Sequence, residues 1–295
     1  MFDLIATPFA FIMRFIYDLV NNYGLTIIIF TVLTKLILWP LTATSQKSML
    51  SMQKIQPELS KLQEKYKNDK DKLGQETMKL YKDNNVNPMG GCLPLLLQFP
   101  LIIAIYQVII KPITYLSDVK MGIPAIVDML HKSGLGAGLT KSSQEIQILK
   151  AVADSDLAQK IEGFVNIDFN FLGLDLSQIP SAVIGDWTTN FVWIIPVLSL
   201  LSAFAMSKVT SSMNSNNASA GNEQAQQTQK VMTMMMPLMS GYFTFIFPSG
   251  VGLYWIASNV LQVVQQIIIT KTIRQKAEVL AVKAVDVKIK NKNTK

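Results

Sequence analysis

Lys35 lies inside the stretch YGLTIIIFTVLTKLILWPL, Tyr23 to Leu41, which otherwise reads as a membrane span. A central ionisable side chain costs on the order of 2.5 to 3.5 kcal/mol in a bilayer even on the most lenient scales, so a lysine there needs a use or an escape. The use is electrostatic: an ammonium in a low-dielectric, partly hydrated cavity attracts a carboxylate more strongly than it does in bulk water. The escape is snorkelling. Leu41 is six residues on, about 9 Å along a helix, and a lysine stem can carry its charge that far to the interface. Residue type and spacing leave both open.

Further polar side chains sit in apolar stretches. Thr31 is four residues before Lys35 and shares its helical face. Gln98 and Gln107, then Ser199 and Ser202, then Ser258, Asn259, Gln262, Gln265 and Gln266 fall in three other such stretches. Intramembrane polar groups face a bundle interior or a water-filled cavity, and one shared groove accounts for all of them. Tyr254 and Trp255 are interfacial aromatics or members of that groove. Catalytic chemistry has no comparable footing. A single cysteine (Cys92) and a single histidine (His131) exclude a disulfide framework and a His/Cys metal cluster. The absence of any Gly-Lys dipeptide excludes a Walker-type phosphate loop. No enzyme activity, cofactor or metal is expected.

The elements that must carry these residues follow from composition. The 295 residues are 49% hydrophobic and 16% charged, with mean hydropathy +0.29, too apolar for a soluble domain of this size. A span needs roughly 17 to 25 mostly apolar residues. The segments 23–41, 92–111, 190–207, 231–247 and 250–270 meet or approach that length, so an all-α polytopic membrane protein with a five-helix core is expected. Basic residues near span ends stay in the cytoplasm. The stretch 42–91 holds nine Lys against six acids, and 271–295 holds eight Lys and Arg against two, so both are expected there. The stretch 112–190 reverses the balance, with nine acids against five Lys, and parity puts it outside, with the N-terminus. Residues 1–22 begin Met-Phe-Asp without a basic n-region. Asp3, Thr7, Ala10, Arg14 and Asp18 recur at three and four against Phe, Leu and Ile, which predicts an amphipathic helix on the outer membrane surface.

Within 42–91, Met49, Met52, Ile55, Leu59, Leu62 and Tyr66 form a narrow apolar seam at helical spacing. Asn68-Asp69 offers a turn or cap, and Leu73, Thr77, Leu80 and Tyr81 mark a second helix that ends at Asn87-Pro88. The expected product is a helical hairpin whose seam catches an apolar segment or meets lipid headgroups. In 112–189, MGIPAIVDMLHKSG and SSQEIQILKAVADS predict short helices separated by a turn at Gly134, Gly136 and Gly138. The polar stretch 208–230 reads as a disordered loop. The Met run 231–239 is a soft, repackable surface or plain lipid-facing packing. The basic tail 271–295 suits ribosomal RNA, anionic lipid or a simple topology anchor.

Four longer motifs, YGLTIIIFTVLTKLILWPLT, SMQKIQPELSKLQEKYKND, NPMGGCLPLLLQFPLIIAIYQVI and FPSGVGLYWIASNVLQVVQQ, stand in an order that resembles the YidC-type membrane protein insertases of the YidC/Oxa/Alb superfamily. The resemblance covers about 1–111 and 164–276. It implies a short bacterial form without the large periplasmic domain. Five helices would enclose a polar groove open to the cytoplasm and to lipid, with a basic residue in the first core span pointing into it. That residue is arginine in most bacterial members and Lys35 here, which keeps the charge but loses the guanidinium fork. The resemblance also implies that Thr31 is functionally sensitive and that Trp255 faces the groove and contacts incoming chains. The predicted substrate groove is therefore Lys35, Thr31, Gln98, Ser199, Ser202, Trp255, Asn259 and Gln262, with Met49, Met52, Ile55 and Leu59 of the hairpin in recruitment.

The function this predicts is a membrane protein insertase and chaperone that needs no nucleotide. Its partners would be nascent membrane proteins and the lipid bilayer, with the ribosome at the basic tail and the Sec translocon as further candidates, and no DNA. It would be a multi-pass protein of the bacterial cytoplasmic membrane. The rival is a small transporter or channel binding an anionic solute at Lys35. Transporters of that kind tend to show internal repeats and broken helices, and no such repeat is present.

Overall fold

The computed structural model describes residues 2–87, 93–140, 144–180, 191–214 and 223–293. Two compact units divide the chain: Met1–Thr34, Leu95–Ala203 and Met235–Ser258 in the first, and Lys35–Pro94, Phe204–Met234 and Asn259–Lys295 in the second. The architecture is helical throughout; among the described residues the strands are the two-residue β1 (Asn170–Phe171) and β2 (Leu174–Asp175). Residues 88–92, with Cys92 at the start of the expected second span, 181–190, with the first residue of the expected third span, and the middle of the expected loop, 215–222, lie outside the described residues.

The first unit opens with α1 (Phe2–Val20). Ala10, Met13, Ile16 and Tyr17 bury one face of α1, while Phe11, Phe15 and Leu19 stand exposed at intervals of four. The helix is pinned at several points. Arg14 makes a two-pronged bond to Asp118, and the Tyr17 hydroxyl accepts from the Asp168 amide at 3.1 Å. The second residue of the next helix, α2 (Tyr23–Ile37), is Gly24, where any Cβ would collide with the Phe171 ring. Phe171 belongs to the β1–β2 hairpin, whose register is Asn170↔Asp175 and Phe171↔Leu174. Its turn, Leu172 and Gly173, takes φ +53° and +80°, the left-handed geometry that two-residue hairpin turns require.

Helices α6 (Pro112–Leu116), α7 (Ile123–Lys132) and α8 (Glu145–Ala153) fill the connection after α5 (Leu93–Ile110). Glu145 ties two of them: its carboxylate accepts from the Thr114 amide at 2.8 Å and the Thr114 hydroxyl at 2.5 Å. An acid is favoured there because the first turn of α6 has unpaired amides and a positive dipole end. The remaining helices are α9 (Ile194–Asn214), α10 (Glu223–Ile246) and α11 (Ser249–Asn293). The α11 N-terminus has no side-chain cap of its own making. Instead, Ser249 N and Oγ both donate to the Gln178 carbonyl at 2.8 Å, and Gly250 N donates to Leu176 O at 2.8 Å.

The second unit holds α3 (Trp39–Lys65) and α4 (Lys70–Asp83). Asp69 caps α4 by accepting from the Lys72 amide at 3.0 Å. The first expected span is not one straight helix. It breaks at Leu38, where Tyr23–Ile37 and Trp39–Met52 meet at 58°. Pro40 supplies the cause: it offers no amide to the Leu36 carbonyl, and its ring crowds that carbonyl. The expected polar loop is shorter than 208–230, because α9 continues to Asn214 and α10 starts at Glu223.

Two helical stretches among the described residues, Phe191–Ser212 and Ser249–Ile273, are each long and apolar enough to cross a membrane, and the bent pair qualifies if counted together. Large apolar side chains remain exposed in stripes: Phe191, Ile194, Leu198 and Leu201 on one helix, and Val260, Val264 and Ile268 on another. Intervals of three and four put each stripe on one helical face. Such faces suit acyl chains, and the protein is embedded in a membrane.

Candidate functional site

Lys35 is the first residue of the second unit's α2 portion and lies half-buried near the C-terminal end of that helix. Its Nζ donates to Gln262 Oε1 at 3.1 Å. Gln265, one turn further along α11, donates from Nε2 to the Lys35 backbone carbonyl at 3.4 Å. Gln266 then donates to Gln46 Oε1 of α3 at 2.9 Å. Three side chains on successive turns of α11 thus fasten the chain on both sides of the Leu38 break. Gln265 and Gln266 are each 3% exposed, so their amides must find protein partners, and they do. Asn259 stands one turn before Gln262 on the same helix, half-buried.

No acidic residue pairs with Lys35 among the described residues. Ion pairs there include Arg14 with Asp18 and Asp118, Lys120 with Glu162, and Lys150 with Asp175. The ammonium is met by a neutral amide.

In the first unit the predicted residues are arranged otherwise. Thr31 is fully buried, and its hydroxyl donates to the Ile27 carbonyl at 2.6 Å; Thr34 does the same to Phe30 at 3.0 Å. Such back-bonding satisfies a hydroxyl inside its own helix. Ser199, also fully buried, shares a hydrogen bond of 2.9 Å with Ser240 of α10. Ser202 donates to the Ser199 carbonyl at 2.9 Å. Gly241 lets the Leu200 side chain approach to 3.2 Å of where a Cβ would sit, so this is a close crossing held by small residues and a hydroxyl pair, as membrane helices favour. Trp255, half-buried, stacks on Phe243 at 6.1 Å and 9°. Phe243 stacks on Phe247 at 5.7 Å, and Phe247 meets Tyr106 at 4.8 Å.

The predicted set therefore falls into two groups. Lys35 and Gln262 touch, with Asn259 in the same unit, while Thr31, Ser199, Ser202 and Trp255 belong to the other unit. Gln98 lies on α5 with its side chain outside the described residues. On the hairpin, Ile55 and Leu59 are buried in the second unit and Met49 and Met52 half-buried. Sequence reasoning missed Gln46 and Ser240 as partners. Ser240 had a signal in the small pair Ser240-Gly241; Gln46 had none, because its partner is 220 residues away.

Comparison with known proteins places this geometry in context. The chain is 31% identical over 268 residues to a membrane protein insertase YidC of Syntrophobacter fumaroxidans, covering 90% of this chain and 37% of that protein. It is 32% identical over 270 residues to the membrane protein insertase YidC of Dechloromonas aromatica, covering 92% and 37%. A shorter match to that of Syntrophus aciditrophicus reaches 50% over 109 residues, 37% of this chain and 20% of that one. The chain thus spans a little over a third of the length of the first two relatives. A solved structure of an active YidC insertase with its first transmembrane domain resolved aligns at TM-score 0.47 and 20% identity, covering 90% of this chain and 46% of that one. The family model of the 60Kd inner membrane protein matches residues 15–276, and the chain belongs to that family.

Proposed function

We propose that the protein is an insertase and chaperone for integral membrane proteins, with Lys35 as the working charge. The observation that carries this reading is the Lys35–Gln262 contact: a cation among membrane helices whose partner is neutral. An ion pair would consume its field internally; an amide leaves it for an arriving anion.

In this reading the five segments expected to span put the N-terminus outside and the hairpin and basic tail in the cytoplasm of a bacterial cell. A nascent chain meets the hairpin at its half-buried methionines, Met49 and Met52, whose flexible side chains repack against varied apolar sequences. Its short acidic tail is drawn towards Lys35. The apolar segment then leaves sideways into lipid, driven by transfer of about 25 cal/mol per Å² of apolar surface, and the tail is released outside. The protein supplies no nucleotide chemistry. Gln262 and Asn259 stand with Lys35 on the route, and the ribosome and the Sec translocon are its upstream partners.

The experiment is protease protection of an acidic-tailed, single-span protein made in a cell-free system with liposomes containing this chain. Wild type and Lys35→Arg protect the tail and Lys35→Ala does not. Equal protection by all three overturns the role given to the charge.

A further inference from the structure

We propose that Lys35 and Gln262 together form a two-donor site for the carboxylates of an entering chain, with Gln262 orienting the ammonium and supplying the second donor. The inference deepens the insertase reading and rests on it.

An ammonium has three donors and no acceptor, so the Gln262 oxygen must be the atom that faces Nζ, as it is at 3.1 Å. The amide nitrogen is the other arm of the same planar group. It is thereby turned off the cation and offers its N–H bonds beside it. A carboxylate has two oxygens, and it can take one donor from Lys35 and one from Gln262. Lysine alone is a point charge on a flexible stem, without the fixed fork with which arginine grips a carboxylate. The neighbouring amide restores a second, directional donor.

The backbone is fixed to match. Gln265 holds the Lys35 carbonyl, and Gln266 holds Gln46 across the Leu38 break. The amide bond also opposes the competing conformation, in which the lysine stem carries its charge away to the interface. Gln262 is therefore a positioning residue for Lys35 as well as a contact for the client.

The test compares two synthetic single-span clients, one with an Asp/Glu tail and one with the same tail as Asn/Gln, translocated by full-length protein in liposomes of neutral lipid. Gln262→Met keeps the length of the side chain and removes both the carbonyl and the NH2 of its amide. It lowers the ratio of acidic-tail to neutral-tail translocation about tenfold, the scale of one hydrogen bond to a charged group. Lys35→Arg added to Gln262→Met restores the ratio, because guanidinium brings its own fork. An unchanged ratio in Gln262→Met overturns the proposal. So does an equal fall for both clients, which is the mark of a structural role, and so does failure of the arginine rescue. Should Lys35→Ala leave the ratio at its wild-type value, the role given to the charge in the insertase reading fails, a result distinct from all of these.

Discussion

Asp175 and Lys35 are both half-buried, yet Asp175 accepts from the Lys150 ammonium, the Ser177 amide and hydroxyl and the Gln178 amide, whereas Lys35 donates to one neutral glutamine. The first arrangement spends a charge on folding. Asp175 fixes the turn whose next residues cap α11 through the Leu176 and Gln178 carbonyls. The second arrangement leaves a charge unspent at the end of a membrane helix. The difference lies in the charge and number of the partners alone, without reference to where either residue lies in the fold.

That contrast can be broken. Gln262→Glu gives Lys35 the ion-pair partner that Lys150 already has. Its acidic-tail translocation falls more than tenfold, because the field is neutralised at its source, while the thermal unfolding midpoint in detergent does not fall. Translocation at the wild-type level would erase the distinction between the two charges.

Asp175→Asn acts in the opposite sense. It leaves the Lys150 ammonium unpaired and lowers stability by about 1 to 2 kcal/mol, discounted because Lys150 is 41% exposed. Unfolding in denaturant measures it. Burial pushes the Asp175 carboxyl upward, but the bonds from Lys150 and Ser177 outweigh that and hold it below the usual range. Its stabilisation is thus present above the unfolded value, about 3.9, and is lost as pH falls from there through the lower folded value. The wild-type protein weakens across that acid window, and Asp175→Asn shows a smaller slope there.

Arg14→Ala has the smallest effect. The Arg14 bond holds the Asp118 carboxyl below its usual range, but Asp118 is 66% exposed and water screens the pair. The loss is smaller than for Asp175→Asn and shrinks further in high salt. A loss as large as that of Asp175→Asn would show that exposure does not rank these fasteners.

Much of what the sequence predicted rested on local information. The helical class follows from composition and apolar runs, and the anomaly of Lys35 from its immediate surroundings. The Asn68-Asp69 pair marks the start of α4 for the same reason, since a cap reaches only three residues. The bend was half visible: Pro40 signals a disruption, but its effect appears at Leu38 because a proline acts on the preceding turn. The glutamine pairing of positions 46 and 266, the hydroxyl pair of 199 and 240 and the 170–175 hairpin were not legible. Each joins or packs against residues distant in sequence, and periodicity within one element carries no record of its neighbour. Gly24 shows the limit well. Nothing in its local context distinguishes it from an ordinary helical glycine, and its reason is the Phe171 ring.

The capping of α11 has a consequence for biosynthesis. Its first amides take their acceptors from Leu176 and Gln178, so the bond from Ser249 closes a separation of 71 residues. A helix that emerges late from the ribosome therefore waits on acceptors laid down much earlier, and in a bilayer there is no water to stand in for them. The glutamines that steady Lys35 belong to this same helix. The charge is thus set in place only once α11 has been made, so a chain that has not reached it carries Lys35 without its amide partner.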